Sequence, residues 1–135
     1  MEIIHSPNAP SAIGPYSQAI VATGELVFCS GQIPIDPATG ELVQGTAAEQ
    51  TKQVMANLTA VLLAASCEVH DIAKTTIYLS NMDDFATVNE VYEEMMHGHR
   101  PARATVEVSR LPKSVAVEID CIAIRGVRDQ GQRLL

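Results

Sequence analysis

Arg103-Ala104-Thr105-Val106-Glu107-Val108 and Val115-Ala116-Val117-Glu118-Ile119-Asp120-Cys121-Ile122-Ala123-Ile124-Arg125 both alternate with the two-residue period of a β-strand. A loop containing Leu111-Pro112-Lys113 lies between them. In the longer segment Val115, Val117, Ile119, Cys121 and Ala123 make one apolar face, and Ala116, Glu118, Asp120, Ile122 and Ile124 make the other. The shorter one divides into Ala104, Val106 and Val108 against Arg103, Thr105 and Glu107. Read as a hairpin, matching apolar sets pairs Val108 with Val115, Val106 with Val117 and Ala104 with Ile119. That register gathers Arg103, Thr105, Glu118 and Asp120 on one face.

Upstream, Ile72 to Leu79 is rich in Thr, Ile and Tyr and reads as a strand. Asn81 or Asp83 can cap a helix carrying Phe85, Val88, Tyr92, Met95 and Met96, which Gly98 can end. An earlier helix starts at the capping-box signature Thr46-Ala47-Ala48-Glu49, and its apolar stripe is Val54, Leu58, Val61, Leu62 and Ala65. Two strands, Tyr16 to Val21 and Glu25 to Ser30, read as a hairpin around Ala22-Thr23-Gly24, and residues 31–45 read as a loop. The order β-β-β-α-β-α-β-β predicts an α/β fold of the α+β kind, a single domain over 1–135, with a mixed sheet and both helices on one face. Residues 126–135 have no periodicity and read as a mobile tail.

That arrangement leaves the other face of the sheet to explain. Charges facing water are the default for such a surface, but Ile122 and Ile124 beside Glu118 and Asp120 fit burial against another subunit with the charged groups at the seam. A bidentate cation and an acid would then share a cleft. Nine Lys and Arg against sixteen Asp and Glu give a net charge of −7, the wrong sign for following a phosphate backbone or an anionic bilayer. Aromatic residues are only 4% of the chain, too sparse for base-stacking platforms. A small-molecule or protein partner is therefore expected, with neither nucleic acid nor membrane as partner. Cys29, Cys67 and Cys121 are odd in number and lack a CxxC spacing, which fits reduced thiols in the cytosol. The start of the chain has no basic region followed by an apolar run, and a cytoplasmic protein is expected. Asn57-Leu58-Thr59 matches a glycosylation acceptor by chance. His97-Gly98-His99 places two imidazoles at a helix end without a third ligand, and no metal site is assigned.

The segments Gly14-Pro15-Tyr16-Ser17-Gln18-Ala19, Phe28-Cys29-Ser30-Gly31-Gln32-Ile33-Pro34, Pro101-Ala102-Arg103-Ala104-Thr105-Val106, Leu111-Pro112 and Val117-Glu118-Ile119-Asp120-Cys121-Ile122-Ala123 resemble, in this order and at these separations, the RidA family, also called YjgF or L-PSP. The resemblance runs from about Ile3 to Arg125. It implies a chorismate-mutase-like fold assembled as a homotrimer with sites between subunits. It also implies cofactor-free hydrolysis of enamine and imine acids, such as 2-aminoacrylate, 2-iminopropanoate and 2-iminobutanoate, to 2-keto acids and ammonia. The intermediates escape from pyridoxal-phosphate-dependent dehydratases.

By the same resemblance Arg103 binds the substrate carboxylate, Glu118 positions or activates water, Tyr16 and Ser30 contribute hydrogen bonds, and Gly31 and Thr105 line the ligand. An imine carbon is electrophilic chiefly when its nitrogen is protonated, so the reaction needs a proton source, an oriented water and a fixed carboxylate. Arg suits the last task because its donor fork matches two carboxylate oxygens. Without the resemblance, Tyr16 reads as a strand-start aromatic and Ser30 as strand-end punctuation. Thr105 stands where several relatives carry Cys, and Met95-Met96 replaces an aromatic pair. Cys29 and Cys121 read as buried apolar groups. The alternative function is a non-catalytic trimer that binds keto or imino acids and regulates a partner. The endoribonuclease activity attached to some relatives fits poorly with the charge.

Overall fold

The computed structural model describes residues 1–126. Apart from Gly126, the tail expected over 126–135 lies outside the described residues. The strands are β1 (Glu2–Ile4), β2 (Ala19–Val21), β3 (Glu25–Gln32), β4 (Ile35–Asp36), β5 (Glu41–Leu42), β6 (Ile72–Leu79), β7 (Ala102–Glu107) and β8 (Val117–Arg125). The helices are α1 (Ala47–Ala64) and α2 (Phe85–Met95). The main sheet runs β3-β8-β6-β7; β8 is antiparallel to both β3 and β6, and β7 is parallel to β6. This is a mixed α+β domain, as expected from the element order.

The hairpin pairings do not form. β7 and β8 are not neighbours, because β6 lies between them. Parallel pairing of β6 with β7 requires a crossover, which α2 supplies. Exposure separates the two strands. β8 carries apolar residues on both faces, Ile119 and Cys121 on one and Ile122 and Ile124 on the other, as a central strand does. β7 has no fully buried residue and sits at the edge. The expected pairing of 16–21 with 25–30 is also corrected: β2 is only three residues long and pairs with β1, and β3 pairs with β8. Within residues 31–45, β4 and β5 form a short hairpin that the sequence reading left as loop.

The core lies between the sheet and the helices. Thr46 and Glu49 form the capping box at α1, with the Glu49 amide donating to Thr46 Oγ1 at 3.2 Å and the Thr46 amide donating to Glu49 Oε1 at 3.2 Å. The buried stripe is Thr51, Val54, Met55, Leu58 and Leu62. It includes Met55 where the sequence reading had Val61, which is 38% exposed. A hydroxyl inside this stripe is tolerated because Thr51 Oγ1 donates to the Ala47 carbonyl at 2.7 Å. Asn57 Nδ2 donates to the carbonyls of Ile33 and Ile35, fixing the segment after β3 on α1. Asn81 accepts from the Asp83 amide and caps a single 3-10 turn, after which α2 begins. Val88, Val91 and Tyr92 of α2 are buried, and His97 and Gly98 reverse the chain beyond it at positive φ. Cys29 and Cys121 are buried directly opposite each other on β3 and β8. Burial, and then the neighbouring Cys29 thiol, push the Cys121 thiol far up, so it is held as an uncharged group. Among the described residues no helix is long and apolar enough to cross a membrane.

Candidate active site

The register decides which side chains can meet. Arg103 lies opposite Thr75 on β6, and Thr75 lies opposite Cys121 on β8. Thr75 and Cys121 are buried under the helices, so Arg103 belongs to the helix side of the sheet. Thr105, opposite Ile77, is on that side too. Glu118 lies opposite Tyr78, and Asp120 lies opposite Thr76, on the other side. The expectation that Arg103, Thr105, Glu118 and Asp120 share a face is therefore corrected. It depended on the β7–β8 hairpin, and inserting β6 changes which residues lie opposite one another.

On the helix side, Arg103 Nη1 donates to Asn89 Oδ1 of α2 at 2.6 Å. Its guanidinium carbon lies 5.2 Å from the Tyr92 ring centre, 5.3 Å from Tyr16 and 6.0 Å from Phe85. Aromatic faces attract a cation and hold it without neutralising it. Burial lowers the Arg103 pKa from its ordinary value, while Tyr92, Tyr16 and Glu93 act in the opposite sense. The group stays charged at any physiological pH. No carboxylate is ion-paired with Arg103 among the described residues. The Tyr92 hydroxyl is tied to Thr75 Oγ1 at 2.8 Å, and burial raises its pKa, which keeps it neutral.

Tyr16 reaches Arg103 because residues 14–17 are stitched to the chain entering β7. The Ser17 amide donates to the Pro101 carbonyl at 3.0 Å, Ser17 Oγ donates to the Arg100 carbonyl, and Arg100 Nη1 donates to the Gly14 carbonyl at 3.5 Å. Thr105 Oγ1 is buried and has no hydrogen-bond partner among the described residues. An unpaired buried hydroxyl is costly, and it is the kind of group a bound ligand can satisfy.

On the open side, Glu118 lies over the backbone of β3. A Cβ at Gly31 would fall 2.0 Å from Glu118 Oε2 and 2.8 Å from its carboxyl carbon, so glycine is what lets the carboxylate rest there. The neighbouring residue Ser30 is exposed. Burial, followed by the charge of Asp120, raises the Glu118 pKa above its ordinary value. Tyr78 donates to Asp120 Oδ2 at 3.0 Å. Around these groups the sheet is apolar and uncovered: Phe28 is 71% exposed, Leu26 59% and Val106 39%.

The sequence-derived residues thus fall into two sets, Tyr16, Arg103 and Thr105 on one side and Ser30, Gly31 and Glu118 on the other. Three cavities among the described residues, of about 610, 570 and 580 Å³, are lined by none of Tyr16, Ser30, Arg103 or Glu118. Sequence reading missed Asn89, although Phe85, Asn89 and Tyr92 recur at helical spacing and so share one face of α2. It also missed the Tyr78–Asp120 contact, because β6 was not placed beside β8. His99 is tied by Nε2 to the Ile72 carbonyl at 2.7 Å.

The family model described as endoribonuclease L-PSP matches residues 6–125. A RutC family protein of Pyrococcus horikoshii is 54% identical over 92% of this chain and 98% of its own. The 2-iminobutanoate/2-iminopropanoate deaminase of Mus musculus is 45% identical over 93% of this chain and 92% of its own. The crystal structure of E. coli TdcF with bound serine is 43% identical, covers 93% of this chain and all of that one, and superposes with a TM-score of 0.72. Imine deamination is thus an activity named within the group. With its motifs in place from Gly14 to Ala123 and its fold shared with these proteins, the chain belongs to the L-PSP family, also known as RidA or YjgF.

Proposed function

We propose that the protein hydrolyses small 2-imino acids and their enamine tautomers, in the class of 2-iminopropanoate and 2-iminobutanoate, to 2-keto acids and ammonia, without a cofactor. The observation that carries this reading is Arg103, a cation held by Asn89 and three aromatic rings and ion-paired with no carboxylate among the described residues. A guanidinium so prepared suits the carboxylate of a short substrate. The deaminase name of relatives at 44–45% identity supports the same chemistry.

Arg103 and Glu118 issue from opposite sides of one sheet, so a site that uses both takes them from two copies of the chain. The uncovered apolar strip around Phe28 and Leu26 gives those copies a surface on which to pack, and a closed trimer repeats the contact three times. In that site Arg103 holds the substrate carboxylate, with Tyr16 and the Thr105 hydroxyl beside it. Glu118 of the neighbouring copy takes a proton from water as its oxygen bonds to the iminium carbon. The proton then passes to nitrogen, and as the C–N bond breaks the hydroxyl gives its proton back to Glu118 and becomes the keto oxygen, so that ammonia and the 2-keto acid leave. Ser30 and the Gly31 backbone hold the water and the developing hydroxyl.

The raised pKa of Glu118 strengthens it as a base once ionised. The family's ribonuclease description is not favoured, since the net charge is −7 and the open face presents Glu118 and Asp120. The test couples a serine or threonine dehydratase to this protein and follows keto acid. Release faster than the spontaneous reaction supports the enzyme. Release at the spontaneous rate, with keto acid still bound, would replace it with a binding protein.

A further inference from the structure

Glu118 does not stand alone on its face of the sheet. Asp120 is two residues further along β8 and so projects from the same side, about 7 Å away by strand geometry. A freely moving aspartate there would turn to water. This one is held, because Tyr78 donates to Asp120 Oδ2 at 3.0 Å from the adjacent strand. Tyr78 is also the residue directly opposite Glu118, so one side chain spans both acids. On the third side Glu118 meets the backbone of Gly31, where a side chain would collide with it.

The other charged and titratable groups on the elements around Glu118 are few. On this face β7 contributes Ala104 and Val106, neither of which titrates. On β6, Lys74 lies opposite Ile122, four residues from the Glu118 level along β8. Near Glu118, β3 presents Gly31 and the adjoining Ser30, with Phe28 further along opposite Ile122. Asp120 is therefore the near charge that Glu118 meets among the described residues of its own subunit.

We propose that Asp120, anchored by the Tyr78 hydroxyl, is a positioning residue that holds a fixed negative charge beside Glu118 and so keeps Glu118 a strong base for water. This rests on the reading of Glu118 as the group that takes the proton from water. The sign follows from electrostatics: a neighbouring anion disfavours the ionised carboxylate, so its removal lets Glu118 ionise at lower pH. The direction in which Glu118 is shifted in the structure agrees, with burial first and Asp120 second among the causes.

The test is carried out on the full chain in its native assembly, with Asp120→Asn, Asp120→Glu, Tyr78→Phe and Glu118→Gln. Carbon-13 NMR titration of the Glu118 carboxyl reads its ionisation without substrate, and the pH dependence of kcat/KM for imine hydrolysis reads its use. With Asp120→Asn, both the titration and the acidic limb of the rate profile move to lower pH by about half a unit or more. The plateau rate falls with the basicity. Asp120→Glu restores the wild-type position. Tyr78→Phe moves the limb in the same direction by less, as the released aspartate turns to solvent. A role confined to folding would change thermal stability or assembly and leave the titration in place.

If Glu118 titrates at the same pH in wild type and Asp120→Asn while Glu118→Gln abolishes turnover, the positioning role is wrong and the catalytic reading survives. If Glu118→Gln turns over like wild type, the catalytic reading itself fails, whatever the titration does.

Discussion

Arg103 and Glu118 stand in opposite kinds of surroundings. The Arg103 region is finished within one subunit: the cation has Asn89 as acceptor, three aromatic rings around it, and a segment from Gly14 to Ser17 tied down beside it. The Glu118 region is finished only on the side of the sheet, with Gly31 and Tyr78 fixed and apolar residues such as Phe28 facing outward. A carboxylate clamp can be built in advance from packed side chains. Under the proposed reaction Glu118 activates water, and such a group has to be open until substrate and cover arrive. The contrast predicts that substrate recognition is a property of the single fold, and turnover a property of the assembly.

The comparison is broken most severely at the acid. Glu118→Gln keeps the shape and a hydrogen-bonding end, so the fold, the assembly and keto-acid binding are expected to persist. Imine hydrolysis is expected to fall by on the order of 10²-fold or more in the coupled dehydratase assay. Unchanged turnover with unchanged affinity would strip Glu118 of its role.

The next largest effect is expected at the clamp. Arg103→Lys keeps the charge and loses the fork and the ring packing, and keto-acid affinity measured by calorimetry is expected to weaken by roughly 10- to 100-fold. Equal affinity would mean that the carboxylate is held elsewhere. Gly31→Ala puts a methyl group where Glu118 Oε2 now lies, at 2.0 Å. The flexible end of Glu118 can move aside, so the protein is expected to fold while kcat drops by about tenfold. A wild-type kcat would show that Glu118 has no need of that place.

The smallest effect is the most direct on where the site lies. Arg103→Ala and Glu118→Gln chains, each nearly inactive, are denatured together in equal amounts and refolded. If each site takes Arg103 from one copy and Glu118 from its neighbour, random assembly leaves about one quarter of the sites with both residues. Activity near a quarter of wild type is expected, and no recovery would place both residues in one subunit. Light scattering on the same samples reads the number of copies, and a stable monomer would remove the shared site.

Much of this was legible beforehand. Strand β6 was bounded from composition, the start of α1 from its capping box, and the two faces of β8 from strict alternation, because each signal is local and repeats over several residues. Arg103, Glu118, Tyr16 and Ser30 came from a pattern of short segments whose order carries information that no single residue does. The partners of Arg103 did not. Asn89 is an ordinary polar residue on a helix until α2 is laid against β7, and Tyr78 is one aromatic residue in a strand until β8 is set beside it.

The chain by itself determined the two helices and the long strands β3, β6, β7 and β8, since periodicity and capping act within a few residues, whereas the two- and three-residue strands β2, β4 and β5 are too short to carry a period. It also determined that β8 buries residues on both faces, since its alternation leaves isoleucines on the side opposite its apolar set. Which strands lie side by side was decided only in three dimensions. The neighbour of β8 is fixed by which strand needs a central place and which tolerates an edge, and by a helix long enough to carry the chain from β6 to β7 in parallel. That choice placed Arg103 under the helices and left Glu118 on the open face, because side-chain direction in a sheet is inherited from the strand opposite.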